Sequence, residues 1–231
     1  MIEVKSLVKS YGKFVAVNRL DLTAYDGQIT VLLGPNGAGK STTIKSIAGL
    51  LKFTGKIYVN GFENRSIEAK RSFGYVAEMP AHYDLLTIDE HLNFIEKAYQ
   101  LKDIDEYRES LLKRFELSQY RHKIAKDLSK GMAQKLSLLC ALLIQPQALL
   151  VDEPLVGLDP HSIEEVIRVF KELKSQGASI LLSTHIIDMI DSIWDVAYIM
   201  HEGEIKKRVE RKELSDNRTL KEIFFEVTEH E

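Results

Sequence analysis

The stretch 29–49 constrains the fold more than any other. Ile29–Leu33 is apolar at four of its five positions, and it runs directly into Gly34-Pro35-Asn36-Gly37-Ala38-Gly39-Lys40-Ser41. The residues that follow, 40–49, read as a helix closed by Gly49. A short strand that is apolar on both faces must be covered on both, which is the condition met by a parallel sheet layered between helices. Runs of the same kind recur at 148–151, 178–183 and 195–200, separated by sequence of helical period. The chain is therefore expected to be α/β with a mainly parallel sheet. The segments 2–10, 15–24 and 56–60 read instead as an antiparallel β portion, with Asn60-Gly61 as a tight-turn signal.

Two helix starts are specified locally. Ser162-x-x-Glu165 and Thr87-x-x-Glu90 both match the reciprocal capping box, and both precede apolar residues at helical spacing. Gly177 supplies a stop for the first of these helices. The span 87–145 reads mostly helical and holds no core strand. It is expected to form a helical subdomain inserted between 1–86 and 146–231, which carry the core and the β subdomain of a single domain spanning 1–231.

With 231 residues, 45% of them hydrophobic, the chain suffices for one sizeable core. A net charge of −3 from intermixed signs excludes a dedicated nucleic-acid surface, which needs clustered positive charge. The basic runs at 206–208 and 211–212 sit among glutamates and read as a solvated face. The single cysteine, Cys140, lies in an apolar run; it reads as a small buried residue in a reducing compartment. The N-terminus has no signal-peptide core, and no apolar stretch reaches the roughly 20 residues of a membrane span. Membrane association is thus expected only through a partner.

The octapeptide from Gly34 to Ser41 matches G-x-x-x-x-G-K-[ST] between a strand and a helix. Its glycines let successive N–H groups turn inward on phosphate oxygens, and the helix N-terminus adds partial positive charge. Lys40 is placed for the β- and γ-phosphates and Ser41 for Mg²⁺. The run 148–151 ends in Asp152-Glu153. Alone, that pair reads more readily as a solvated acidic turn. Beside a phosphate loop, Asp152 becomes a Mg²⁺ ligand and Glu153 the group that orients and deprotonates water, in a reaction where positioning and charge neutralisation carry most of the work.

In this order the motifs resemble those of the ABC ATPase family over nearly the whole chain. Leu128-Ser129-Lys130-Gly131-Met132 resembles the signature LSGGQ, Gly157-Leu158-Asp159-Pro160 the D-loop, and Ser183-Thr184-His185 the switch histidine. The resemblance implies a P-loop NTPase core with an antiparallel β subdomain and an inserted helical subdomain. It implies that Tyr11 stacks on adenine, that Gly34, Pro35, Asn36, Gly37, Ala38, Gly39, Lys40, Ser41 and Thr42 bind nucleotide, and that His185 contacts the γ-phosphate. Ser129, Lys130, Gly131 and Met132 would serve another chain's ATP, so two nucleotide-binding domains, as homodimer or heterodimer, would complete each site. Glu78 stands where many relatives carry the Q-loop glutamine, and is expected to hold Mg²⁺ or water through its oxygen. Lys130 and Met132 replace Gly and Gln of the signature.

Ser-Lys-Gly-Met-x-Gln-Lys and Leu220-Lys221-Glu222-Ile223-Phe224 resemble the ABC-2 exporter group, including its Ecs-type members. The implied protein is a Mg-dependent ATPase, cytoplasmic and peripheral on the inner face of the membrane. It would power a separate transmembrane permease subunit. The competing readings are a soluble ABC ATPase that remodels a protein or nucleoprotein assembly, and a nucleotide-dependent scaffold that hydrolyses little.

Overall fold

In the structure, a computed structural model, residues 1–155, 157–214 and 218–229 are described. The strands are β1 (Ile2–Tyr11), β2 (Phe14–Ala24), β3 (Ile29–Leu33), β4 (Thr54–Val59), β5 (Phe62–Glu63), β6 (Phe73–Val76), β7 (Ala148–Asp152), β8 (Ser179–Thr184), β9 (Val196–His201) and β10 (Glu204–Glu210). The α-helices are α1 (Lys40–Ile47), α2 (Ile67–Ser72), α3 (Ile88–Tyr99), α4 (Asp105–Arg114), α5 (Lys130–Leu143), α6 (Pro160–Ser175) and α7 (Leu220–Glu229).

The strands form two sheets. The larger runs β10-β9-β3-β8-β7-β6, parallel throughout except for β10 on β9. The smaller, β2-β1-β4-β5, is antiparallel. Why the central strands are apolar on both faces follows from their side-chain alternation. Ile29, Val31 and Leu33 enter one core with Leu149, Val151, Ile180, Leu182 and residues of α5 and α6. Leu32, Leu150 and Leu181 enter a second core, shared with Ile44 and Ile47 of α1 and the inner face of the small sheet. Parallel registers such as Leu33↔Thr184 and Asp152↔Ser183 bring the carboxyl ends of β3, β7 and β8 to one rim. Ligands of open α/β sheets bind at that rim.

The segments read as strands are strands, to within two residues at each end. Two members of the large sheet lie outside the sequence reading. β6 carries Gly74 in its interior, which weakens a strand signal; a side chain there would come within 2.7 Å of the Ala141 carbonyl of α5. β10 contains the 206–208 run. It is a charged edge strand, whose lysines and arginine protect an open edge, with Lys206–Glu204 and Arg208–Glu210 ion pairs.

One helix start is corrected. Ser162 is not the N-cap of α6: Asp159 is, its Oδ1 accepting from the Ser162 amide at 2.9 Å. Pro160 prefers the first helical position, where no N–H is required, and so moves the start three residues upstream. Glu165 pairs with Arg114 and Arg168 instead of closing a capping box. The Thr87–Glu90 box forms as expected. Between β6 and β7 the described chain holds three α-helices and one isolated bridge, Thr87↔Ile124. Arg108 joins α4 to α3 through Asp89 and Glu96, and Arg114 joins α4 to α6 through Glu165 and Glu172. Cys140 packs part-buried against the first core, and burial pushes its thiol up to about 12.

Candidate active site

The loop between β3 and α1 is shaped by close backbone approaches. A Cβ on Gly34 would sit 2.4 Å from the Met200 carbonyl of β9. At Gly39, φ is 101° and a Cβ would sit 2.4 Å from the Ala16 carbonyl of β2. Only glycine meets both demands. The Gly203 amide donates to Ala38 at 3.0 Å, pinning the loop to the β9–β10 turn. The Lys40 ammonium folds back over this loop, donating to the Gly34 carbonyl at 2.7 Å and the Pro35 carbonyl at 3.1 Å. Burial lowers its pKa; the negative charge of Glu153, then of Asp152 and Glu78, opposes that shift.

The carboxylate pair lies against this lysine. Ser41 Oγ donates to Asp152 Oδ1 at 2.9 Å, and Ser183 Oγ donates to the same oxygen at 2.6 Å. Glu153 follows β7 with φ of 49°, in the left-handed region. That conformation costs on the order of 1 kcal/mol for a residue with a side chain. The Glu153 amide, donating to the Ser183 carbonyl at 3.2 Å, helps to hold it. Glu153 Oε1 is 2.9 Å from His185 Nδ1 and 3.8 Å from Lys40 Nζ.

The second oxygens of both carboxylates, Asp152 Oδ2 and Glu153 Oε2, are buried without a hydrogen-bond partner. A buried acceptor left unmet costs about 1–3 kcal/mol, and more when charged, so each calls for a ligand. An Asp oxygen beside a serine hydroxyl is a hard oxygen donor set that fits Mg²⁺, which takes one or two protein oxygens and completes its shell from phosphate and water. Among the described residues no cluster of three or more His, Cys, Asp and Glu forms an all-protein metal cage.

These groups open onto a cleft of about 330 Å³ lined also by Tyr11, Asn36, Gly37, Thr42 and Glu78. Glu78 lies in the exposed segment after β6, where its charge reaches Lys40. Two lining residues, Phe14 and Ala16, were not anticipated. Phe14 is 65% exposed beside Tyr11, which is 49% exposed, across the Gly12-Lys13 turn. An exposed aromatic pair astride a hairpin was the signal available in the sequence. Lys9 lies 4.6 Å over the Tyr11 ring.

Ser129, Lys130, Gly131 and Met132 contribute nothing to this cleft. Ser129 caps α5, accepting from the Met132 amide at 3.3 Å, and stands exposed with Lys130 at the helix tip. The structure thus brings together the glycine loop, Lys40, Ser41, Asp152, Glu153, His185, Glu78 and Tyr11, and leaves the signature turn outside. Asp159 sits at the N-cap of α6. Hydrogen bonds from the Ser162 side chain and amide pull its carboxyl down to about 2.

A glycine cradle between strand and helix, with a carboxylate pair at the end of β7 on the same rim of the sheet, defines a phosphate-loop nucleoside triphosphatase. The family described as ABC transporter matches residues 17–156. The ABC-type transporter ATP-binding protein EcsA of Bacillus subtilis (strain 168) is 35% identical over 100% of this chain and 98% of its own. The lantibiotic transport ATP-binding protein SrtF of Streptococcus pyogenes is 32% identical over 97% of this chain and 96% of its own. Among solved structures, an ATP-binding subunit of an ABC transporter superposes with a TM-score of 0.92 at 35% identity, covering 99% of each chain. The chain belongs to the ABC transporter family, among its ATP-binding subunits. A dimeric bacterial ABC transporter cassette shares the fold, with a TM-score of 0.81 at 24% identity over 91% of this chain and 98% of its own.

Proposed function

We propose that this chain binds ATP with Mg²⁺ in the Lys40 cleft, hydrolyses it at a junction with a second nucleotide-binding chain, and so drives a separate membrane permease. The observation that carries the reading is the pair of buried, unpartnered oxygens on Asp152 and Glu153, set beside Lys40 and away from the Ser129 turn.

The residues divide the work by chemistry. Amides of residues 34–42 and the Lys40 ammonium hold phosphate oxygens. Tyr11, with Phe14 beside it, presents an aromatic face to the adenine. Ser41 and Asp152, with Glu78 nearby, would hold Mg²⁺, which supplies neutralisation of the phosphate charge when bound. Glu153 Oε2 accepts the proton of the attacking water while its oxygen forms the new bond to the γ-phosphorus and the bond to the β-phosphate oxygen breaks. His185, bonded to Glu153 Oε1, keeps that carboxylate oriented. Ser129 and Gly131 of a second chain close the site over the γ-phosphate; Lys130 and Met132 flank them. With the family's domain plan, 1–86 and 146–231 form the core and 87–145 the helical subdomain that carries the signature.

The same reading assigns the permease a surface. His82, Tyr83, Asp84, Leu85, Leu86 and Phe94 line an open groove of about 610 Å³. Leu85 is 74% exposed and the nearby Met79 79%. Large apolar side chains exposed together mark an interaction site, and a groove of this kind suits an apolar helix end from a membrane subunit. Among the described residues no helix is long and apolar enough to cross a membrane. In this reading the permease holds the subunit at the cytoplasmic face of the membrane.

The test pairs two measurements on Glu153→Gln. Steady-state phosphate release should collapse, and light scattering should show an ATP-dependent dimer. A variant that stays monomeric with ATP and Mg²⁺, at concentrations where ATP is bound, overturns the two-chain site.

A further inference from the structure

Two unmet polar groups of opposite kind lie on one face of the large sheet. Asp152 Oδ2, at the end of β7, is a buried acceptor without a hydrogen-bond partner, and the Tyr75 hydroxyl of β6 is a buried donor without one. Strand geometry sets them side by side. Tyr75 pairs with Leu150 in the parallel register of β6 on β7, and Asp152 follows Leu150 by two residues, so all three stand on the same face. Leu150 and Tyr75 both pack in the second core, which α1 covers, and Ser41 of α1 bonds Asp152 from that side. A diagonal neighbour in a sheet is within reach of an aromatic side chain. Burial, and then the negative charges of Asp152 and Glu78, push the Tyr75 hydroxyl up to about 12. It therefore stays a neutral donor near neutral pH.

A hydroxyl in this place carries a cost that a plain ring would avoid, because burying it without a partner is unfavourable. Phe73, two residues earlier on the same face, shows that β6 packs a plain ring against this core. The Tyr75 hydroxyl thus calls for an acceptor, and the carboxylates whose charge reaches it, Asp152 and Glu78, are the two assigned to the Mg²⁺ site. It bonds neither of them directly, so a link between them runs through an intervening oxygen. We propose that Tyr75 is a positioning residue for the cation, its hydroxyl holding a water of the Mg²⁺ shell against Asp152. This rests on the reading that the Lys40 cleft binds ATP with Mg²⁺. Tyr75 does not line that cleft, so it acts from beneath, through the ligands and not on the nucleotide. Removing a group that orients a metal's ligands from the next layer weakens metal binding by about 10- to 100-fold; a link through a single water belongs at the low end of that range.

The experiment uses the full chain in the Glu153→Gln background, so that ATP is not consumed, at protein concentrations too low for a dimer. ATP affinity is measured by equilibrium dialysis with Mg²⁺ and again with EDTA, and the ratio of the two reports what the cation contributes. Tyr75→Phe removes one oxygen and keeps the ring. It should lower that ratio about 10-fold and leave the affinity in EDTA unchanged. Its urea midpoint without metal should be unchanged or raised, since a buried unmet hydroxyl has gone. Phe73→Leu disturbs the packing of the same face without touching the hydroxyl, and should leave the ratio where it is in the parent. A ratio unmoved by Tyr75→Phe, an equal loss of affinity with and without Mg²⁺, or an equal fall of the ratio in Phe73→Leu would each overturn the inference. Should Tyr75→Phe not fold, Tyr75→Met, which also lacks the hydroxyl, carries the same comparison. A parent that binds ATP equally well in Mg²⁺ and in EDTA removes the Mg²⁺ reading of the cleft, and this inference with it; a parent that responds to Mg²⁺ while Tyr75→Phe matches it removes the role of Tyr75 alone.

Discussion

Glu153→Gln exchanges one carboxylate oxygen for an amide at nearly constant shape, so its effects separate charge from packing. Oε1 of Glu153 is 3.8 Å from the Lys40 ammonium, and the side chains are 7% and 6% exposed. At an effective dielectric constant of about 20, that pair attracts by about 4 kcal/mol. The desolvation of both groups offsets much of it. In the glutamine variant Lys40 is released from this competitor, and the negative charge that would repel a γ-phosphate disappears. ATP binding should therefore be kept or strengthened. Hydrolysis should not survive, since the amide cannot take the proton of the attacking water. A positioned general base contributes roughly 10²–10⁴-fold, about 3–5 kcal/mol of barrier at 1.36 kcal/mol per decade. Single-turnover phosphate release at saturating ATP, with calorimetry for binding, measures both effects. A hydrolysis rate within about three-fold of the parent would show that another group takes the proton. A loss of ATP affinity would show that Glu153 supports the loop and does not compete for Lys40.

Glu78→Gln retains the side-chain oxygen and removes one of the negative charges acting on Lys40; steady-state ATPase should stay within a few-fold, and complete loss would mean that the charge itself is required. Gly39→Ala puts a methyl group 2.4 Å from a backbone carbonyl at φ of 101°. It should cost on the order of 1–3 kcal/mol from the backbone alone, read as a lowered midpoint in urea together with lost ATP binding; an unchanged midpoint would refute the close approach. The Asp159 cap sets a pH dependence. Its folded value, about 2, lies below the ordinary 3.8, so its stabilisation is complete above 3.8 and is lost as pH falls through about 2. Asp159→Asn should abolish that part of the acid sensitivity in circular-dichroism melts between pH 5 and 2, and an identical pH profile would exclude the cap as its source.

Much of this molecule could be read from the chain because the relevant interactions are local. The two-sided apolar runs dictate a covered parallel sheet wherever they are placed. The Gly34–Ser41 octapeptide needs only its flanking strand and helix to form a phosphate cradle. The Thr87–Glu90 box closes within a single helical turn. What required the tertiary structure depends on groups far apart in sequence. Gly74 makes β6 a poor strand by propensity, and its tolerance comes from the approach of α5 at Ala141. Phe14 joins the cleft because the small sheet carries the β1–β2 hairpin to the lip of the loop after β3. The sequence determined which oxygens and cations this protein brings to a phosphate. Only the packing decided that one oxygen of each carboxylate is satisfied and the other left buried and waiting, and that the Tyr75 hydroxyl is buried on the face that carries Asp152, because hydrogen-bond and charge partners are assigned by distance in space, not by spacing along the chain.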